Sequence, residues 1–127
     1  MAPLRITTEH RDHATVLTVS GEIDMSNAGD FYQALAAALA GGEAILVVDL
    51  TDVAFMDSAG LHALLHARHD AASTGGANIA VVPSDAVDRL LRLSETDQMM
   101  TIYADCDEAI AHAADAAARS RLHDPSP

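Results

Sequence analysis

The chain is poor in aromatic residues and contains a single cysteine, no lysine and no tryptophan. Aromatic side chains make up 3% of its 127 residues while half of all residues are hydrophobic, so the core must be aliphatic and rich in alanine. A lone Cys106 excludes an intramolecular disulfide and is typical of a reducing compartment. No run approaches the roughly 20 apolar residues of a membrane span, and the first residues do not resemble a signal peptide. We therefore expect a cytoplasmic protein that does not bind a membrane.

Basic side chains are scarce, since seven arginines stand against 19 acidic residues and give a net charge of −12. So acidic a surface repels phosphate backbones, and direct binding to nucleic acid is not expected. It favours a partner with a basic face, or simply maintains solubility.

The length fits one domain, which we predict over residues 1–127 with a core at about 4–118 and a disordered tail at 119–127.

Hydrophobic periodicity predicts nine elements in the order ββαβαβαβα, which is an α/β fold with about four helices. The order implies a mixed, mostly parallel sheet with an N-terminal hairpin. If the second and third strands are parallel neighbours, the loops at 21–24 and 56–60 meet at one sheet edge, where sites occur in open α/β sheets. Strands are predicted at 4–8, 14–20, 44–50, 78–82 and 100–103, and helices at 26–40, 58–73, from 84 onward and at 107–121.

Ser58 is the one hydroxyl at the junction between the third strand and the second helix. The first backbone N–H groups of a helix lack intrahelical partners and carry partial positive charge. A serine at this place can cap the helix, and it can also carry a phosphate that the helix end tolerates. The spacing alone leaves both interpretations open.

Two other chemistries are excluded by residues that the chain lacks. A hydrolase nucleophile at Ser58 would need a glycine two residues earlier, where the chain has Met56. A receiver domain phosphorylated on Asp49 would need an acidic pair after the first strand and a lysine after the last. The first strand ends in two threonines instead, and there is no lysine.

Three histidines, His62, His66 and His69, are spaced to share one face of the second helix, and such a face can hold a transition metal. However, no cysteine or carboxylate has an evident place opposite them, and Asp70 is predicted to point elsewhere. We therefore expect solvated histidines rather than a metal site, and no cofactor. Because histidine titrates at about pH 6.5, this face could make the choice of partner depend on pH.

The segment at 49–61, Asp-Leu-Thr-Asp-Val-Ala-Phe-Met-Asp-Ser-Ala-Gly-Leu, resembles the signature of the anti-sigma-factor antagonists, small bacterial proteins made of one STAS domain. Residues 21–24, Gly-Glu-Ile-Asp, match the family's other recurrent loop, and the resemblance covers about residues 4–118. It implies a regulator without catalytic activity, which binds an anti-sigma factor serine kinase when unphosphorylated and so frees a sigma factor. The kinase uses its own ATP and Mg²⁺ to phosphorylate the antagonist, and a PP2C-type phosphatase resets it.

Carried over by position, the resemblance makes Ser58 the phosphoacceptor. Periodicity places Leu61 on the core face of its helix with Leu64 and Leu65, although the resemblance places it at the partner-facing rim.

Two alternatives stay open: a STAS scaffold in another signalling assembly such as a stress-sensing complex, and a nucleotide-binding STAS domain. For the latter, Gly75-Gly76 lies in the wrong place for a phosphate loop. The partner-binding residues that the resemblance implies are Glu22, Asp24, Met56, Asp57, Ala59, Gly60 and Leu61.

Overall fold

The computed structural model describes residues 3–73 and 78–112. Gly75-Gly76, the last predicted helix beyond residue 112 and the predicted tail at 119–127 lie outside these ranges. The strands are β1 (Arg5–Arg11), β2 (Ala14–Ile23), β3 (Ile45–Met56), β4 (Asn78–Pro83) and β5 (Thr101–Ile102). The helices are α1 (Ala28–Ala40), α2 (Ser58–Ser73), α3 (Asp85–Leu93), a 3₁₀ turn at Asp97–Met99, and α4, of which residues 106–112 are described.

The five strands form one sheet in the order β1-β2-β3-β4-β5. Strands β1 and β2 pair antiparallel as a hairpin, and every later neighbour pairs in parallel. The predicted α/β class, the mixed and mostly parallel sheet and the N-terminal hairpin are confirmed. Parallel pairing also means that β2, β3 and β4 all end at the same edge of the sheet.

Helices cover both faces of this sheet. One face packs against α1, α2 and α3 through aliphatic side chains, with Phe31 as the one buried phenylalanine among the described residues. The opposite face carries a smaller cluster that includes Ala109 and Ile110 of α4. As predicted, Leu61 and Leu64 lie in the core and Leu65 packs against it. Within the described ranges, no helix combines the length and the apolar character needed to cross a bilayer.

The central strand β3 is longer than the sequence predicts. The sequence predicts that β3 ends at Leu50, and this prediction is wrong. The polar residues after Leu50 stay in the strand because they continue to pair with β2, as far as the pair of Ile23 and Met56. The predicted loop at 21–24 is therefore mostly strand, irregular at Gly21, whose φ is 103°. Pairing between β3 and β4 ends at Leu50 and Pro83. Residues 51–56 thus extend past β4.

Candidate functional site

Ser58 lies where β2 and β3 end side by side. The backbone N–H of Asp57 donates to the carbonyl of Ile23 at 3.1 Å, which ties the two strand ends together. The segments that follow them, residues 24–27 and 57–60, consequently share one sheet edge. The predicted segments 21–24 and 56–60 do come together at this edge, where Ile23 pairs with Met56, although residues 21–23 belong to β2 and Met56 to β3 rather than to loops.

Asp57, rather than Ser58, caps helix α2. Asp57 Oδ1 accepts hydrogen bonds from the backbone N–H groups of Ala59 at 2.9 Å and Gly60 at 3.2 Å. Ser58 is the first residue of the helix and its side chain is exposed. No hydrogen bond within the described part of the chain involves its hydroxyl. The interpretation of Ser58 as a helix cap is therefore wrong, because the residue before it already satisfies the free N–H groups.

Gly60 holds the start of α2 against the two strand ends. A Cβ atom at this position would lie 2.7 Å from Met56 Cγ and 2.8 Å from Ile23 Cγ2, closer than side chains pack. The backbone can approach the strands here because glycine has no side chain. This contact fixes the path of the chain next to Ser58.

The carboxylate of Asp24 orders the segment that follows β2 at the same sheet edge. Its Oδ1 accepts from both the hydroxyl and the backbone N–H of Ser26, and these hydrogen bonds lower the pKa of Asp24 below its ordinary value. Asn27 closes the turn, since its amide donates to the carbonyl of Glu22 and accepts from the N–H of Asp24, each at 2.9 Å. Asp24 is therefore a fixed negative charge at neutral pH.

The predicted partner-binding residues divide into two groups. Glu22, Asp24, Asp57 and Ala59 are partly exposed and can contact a partner. The prediction that the remaining three face a partner is corrected, because their side-chain positions are buried in the core of this chain. That group is Met56, Gly60 and Leu61, of which Met56 and Leu61 are each 5% exposed.

Two exposed apolar side chains near Ser58 were not predicted as site residues. Met25 is 83% exposed and directly follows Asp24, while Phe55 is 47% exposed near the end of β3. Contiguous apolar patches mark contact surfaces, whereas single exposed apolar side chains are common on protein surfaces. In the sequence, Met25 could have been noticed because no helical or strand pattern accounts for it.

The histidine face of α2 is arranged differently from the prediction. His62, His66 and His69 are exposed, as expected. Asp70, however, does not point away: its Oδ1 lies 3.7 Å from His66 Nε2, and it accepts a hydrogen bond from the Tyr32 hydroxyl, which raises the pKa of Tyr32. The rings of His66 and Tyr32 stack with centroids 4.8 Å apart. Within residues 3–73 and 78–112, no three His, Cys, Asp or Glu side chains are grouped to hold a metal.

The architecture and the junction at Ser58 agree with a known family. A sequence model described as the STAS domain matches residues 5–109. An anti-sigma factor antagonist from Mycobacterium paratuberculosis is 30% identical, with a TM-score of 0.77 over 87% of this chain and 94% of that one. The chain belongs to the family of STAS domains that includes the anti-sigma-factor antagonists. The resemblance drawn from residues 49–61 and 21–24 is thereby confirmed.

More distant structures share the STAS fold. A proposed anti-sigma factor antagonist from Thermotoga maritima is 24% identical, with a TM-score of 0.76 over 85% of this chain and 93% of that one. The unphosphorylated form of the anti-sigma factor antagonist SpoIIAA is 20% identical, with a TM-score of 0.66 over 85% and 95% of the two chains. Bacillus SpoIIAA in its phosphorylated form has a TM-score of 0.62. The fold is therefore shared by a protein solved in both phosphorylation states.

Proposed function

We propose that this STAS domain is an anti-sigma-factor antagonist, whose unphosphorylated form binds an anti-sigma factor serine kinase and so frees a sigma factor. Phosphorylation of Ser58 by that kinase switches the binding off. The observation that carries the proposal is the position of Ser58, which is exposed on the first turn of α2 while Asp57 does the capping. The serine is available for modification because the fold does not use its hydroxyl.

A phosphate on Ser58 should leave the fold intact. The modification breaks no hydrogen bond among the described residues, since the Ser58 hydroxyl makes none. It adds about −1.5 to −2 charge units at the N-terminal end of a helix, where partial positive charge stabilises an anion. Asp57 supplies one negative charge there already and remains the cap. The free energy of unfolding should therefore change little.

The same charge should act strongly on a partner. Two unit charges 4 Å apart interact by about 4 kcal/mol at an effective dielectric constant of about 20. The phosphate would stand next to Asp57 and at the same sheet edge as Asp24, so that any carboxylate of the partner near this edge meets several negative charges. Because about 1.4 kcal/mol corresponds to a tenfold change in affinity, a micromolar complex would dissociate.

The remaining chemistry of the cycle belongs to the partners. In our proposal the kinase supplies ATP and Mg²⁺, and a PP2C-type phosphatase removes the phosphate from Ser58. The chain itself contributes an acceptor hydroxyl and a binding surface, and catalyses no reaction. The acidic balance of the chain, −12 overall, favours a kinase whose docking face is basic.

The test is phosphorylation by each anti-sigma factor kinase of the source organism, purified separately and supplied with ATP and Mg²⁺. Mass spectrometry should find one phosphate on Ser58 with at least one of these kinases. The Ser58→Ala variant should take up none, and the matched variant Ser73→Ala, which removes an exposed serine at the other end of the same helix, should be phosphorylated like the wild type. Phosphate on another residue, or on none with every kinase, would contradict the proposal.

A further inference from the structure

An apolar groove opens beside the candidate site, between the end of β3 and helix α3. It encloses about 470 Å³. Two of the most exposed large apolar side chains of the described residues, Phe55 and Leu93, stand on its walls, with 47% and 78% of their surface accessible. The groove is lined by Phe55, Met56, Asp85, Ala86, Arg89, Leu90 and Leu93.

The groove exists because β3 extends past β4. Since β4 ends at Pro83, α3 begins next to the extended part of β3 and is fixed there by the Ser84 hydroxyl, which donates to the carbonyl of Val53 at 2.7 Å. Helix α3 then runs beside residues 51–56 and leaves a cleft along Phe55. This cleft is therefore built into the rigid part of the fold rather than into a loop.

Charges of both signs stand at the groove. Asp85 and Arg89 lie one helical turn apart on α3, and within residues 3–73 and 78–112 neither forms a salt bridge. A guanidinium and a carboxylate beside an apolar cleft are complementary to a segment that carries one apolar side chain together with a basic and an acidic one. Such a pattern is typical of an amphipathic helix that lies in a groove.

The groove is close to Ser58. Phe55 and Ser58 are three positions apart in the sequence, so their Cα atoms are at most about 11 Å apart. Helices α2 and α3 both begin at the sheet edge where the parallel strands end. A partner that docks over Ser58 is therefore within reach of this groove.

We infer that the groove is a second docking site for the kinase that binds at Ser58, and that an amphipathic helix of the kinase inserts an apolar side chain between Phe55 and Leu93. The inserted helix places a basic side chain against Asp85 and an acidic one against Arg89. This inference rests on the proposed function. The contacts in the groove contribute to the affinity for the kinase independently of the phosphorylation state of Ser58.

The test measures the affinity of the unphosphorylated chain for the kinase by isothermal titration calorimetry. Leu93→Gln and Phe55→Gln should each raise Kd at least about tenfold, because a large apolar side chain no longer becomes buried on binding. Arg89→Glu should also weaken binding. The matched control Met99→Gln changes another exposed apolar side chain, 48% accessible and outside the groove, and should bind like the wild type.

Each result decides the inference. If the wild type binds and is phosphorylated on Ser58 while Leu93→Gln binds equally well, the groove is not a docking site and the proposed function stands. If no kinase binds the wild type, both fall together. If sedimentation shows that the wild type self-associates and Leu93→Gln does not, the groove is occupied by a second copy and the inference is overturned.

Discussion

Two helices begin at the same edge of the sheet with a serine at or next to their first residue, and the two serines have different roles. Ser84 precedes α3, accepts a hydrogen bond from the N–H of Val87 at 3.2 Å and donates to the carbonyl of Val53 at 2.7 Å. Ser58 is the first residue of α2 and is exposed, because Asp57 already caps the helix. One position along the chain therefore decides whether such a serine is part of the fold or exposed.

The comparison also separates the residues that hold the site from the serine that we propose to be phosphorylated. Asp57, Gly60 and Ile23 fix the backbone around Ser58 by a cap, a close contact and a hydrogen bond between strand ends. Ser58 contributes to none of these. Substitutions at these positions should therefore lower stability in a definite order, with Ser58 at the bottom.

Gly60→Ala should have the largest effect on stability. The added Cβ would overlap Met56 and Ile23, and overpacking of this kind costs about 1–3 kcal/mol. Gly29→Ala is the matched control, since its Cβ meets nothing within 4 Å and alanine favours a helix by up to about 1 kcal/mol. Urea unfolding of both variants measures the difference. A Gly60→Ala variant as stable as the Gly29→Ala variant would contradict the close packing beside Ser58.

Ser84→Ala should come next, with a loss of about 1–2 kcal/mol. The substitution removes the cap of α3 and the hydrogen bond to the carbonyl of Val53. Ser84→Thr keeps a hydroxyl at this position and should retain most of the stability. Equal stability of Ser84→Ala and the wild type in the same unfolding experiment would show that the contrast between the two serines is mistaken.

Asp57→Ala should cost about 1 kcal/mol, since the first N–H groups of α2 lose their acceptor. Asparagine also caps helices well, so Asp57→Asn should recover most of this loss and serves as the control for the carboxylate charge. If Asp57→Ala unfolds at the same urea concentration as the wild type, then Asp57 is not the cap.

Ser58→Ala should have the smallest effect, within about 0.5 kcal/mol of the wild type, as expected for a surface position without partners. Differential scanning calorimetry of the Ser58→Ala and Ser84→Ala variants under the same conditions compares their stabilities directly. A loss as large as that of Ser84→Ala would mean that the Ser58 hydroxyl supports the fold.

Much of the fold follows from local patterns in the sequence. Helix α2 begins at Ser58, where apolar periodicity and the junction motif predict, and α3 follows Ser84, which caps it. The end of β3 could not be predicted in this way. Residues after Leu50 are polar and resemble a loop, and they remain in the strand only because β2 continues beside them.

The details of the site depend on contacts that a local pattern does not contain. Asp57 and Ser58 are adjacent and both are good capping residues, so the sequence does not say which of them accepts the hydrogen bonds. Met56 is buried by the contact with Gly60, which needs the helix to turn back against the strand. The groove joins Phe55 and Leu93, which lie far apart in the sequence.

The central claim is that a phosphate on Ser58 acts on the partner and leaves the fold unchanged. The direct measurement compares the chain before and after stoichiometric phosphorylation, in thermal midpoint and in Kd for the kinase. We predict midpoints within about 2 °C of each other, since about 1 kcal/mol would shift the midpoint by several degrees, and a Kd at least about 100-fold weaker after phosphorylation. An unchanged Kd, or a weaker Kd accompanied by a large drop in the midpoint, would contradict the claim.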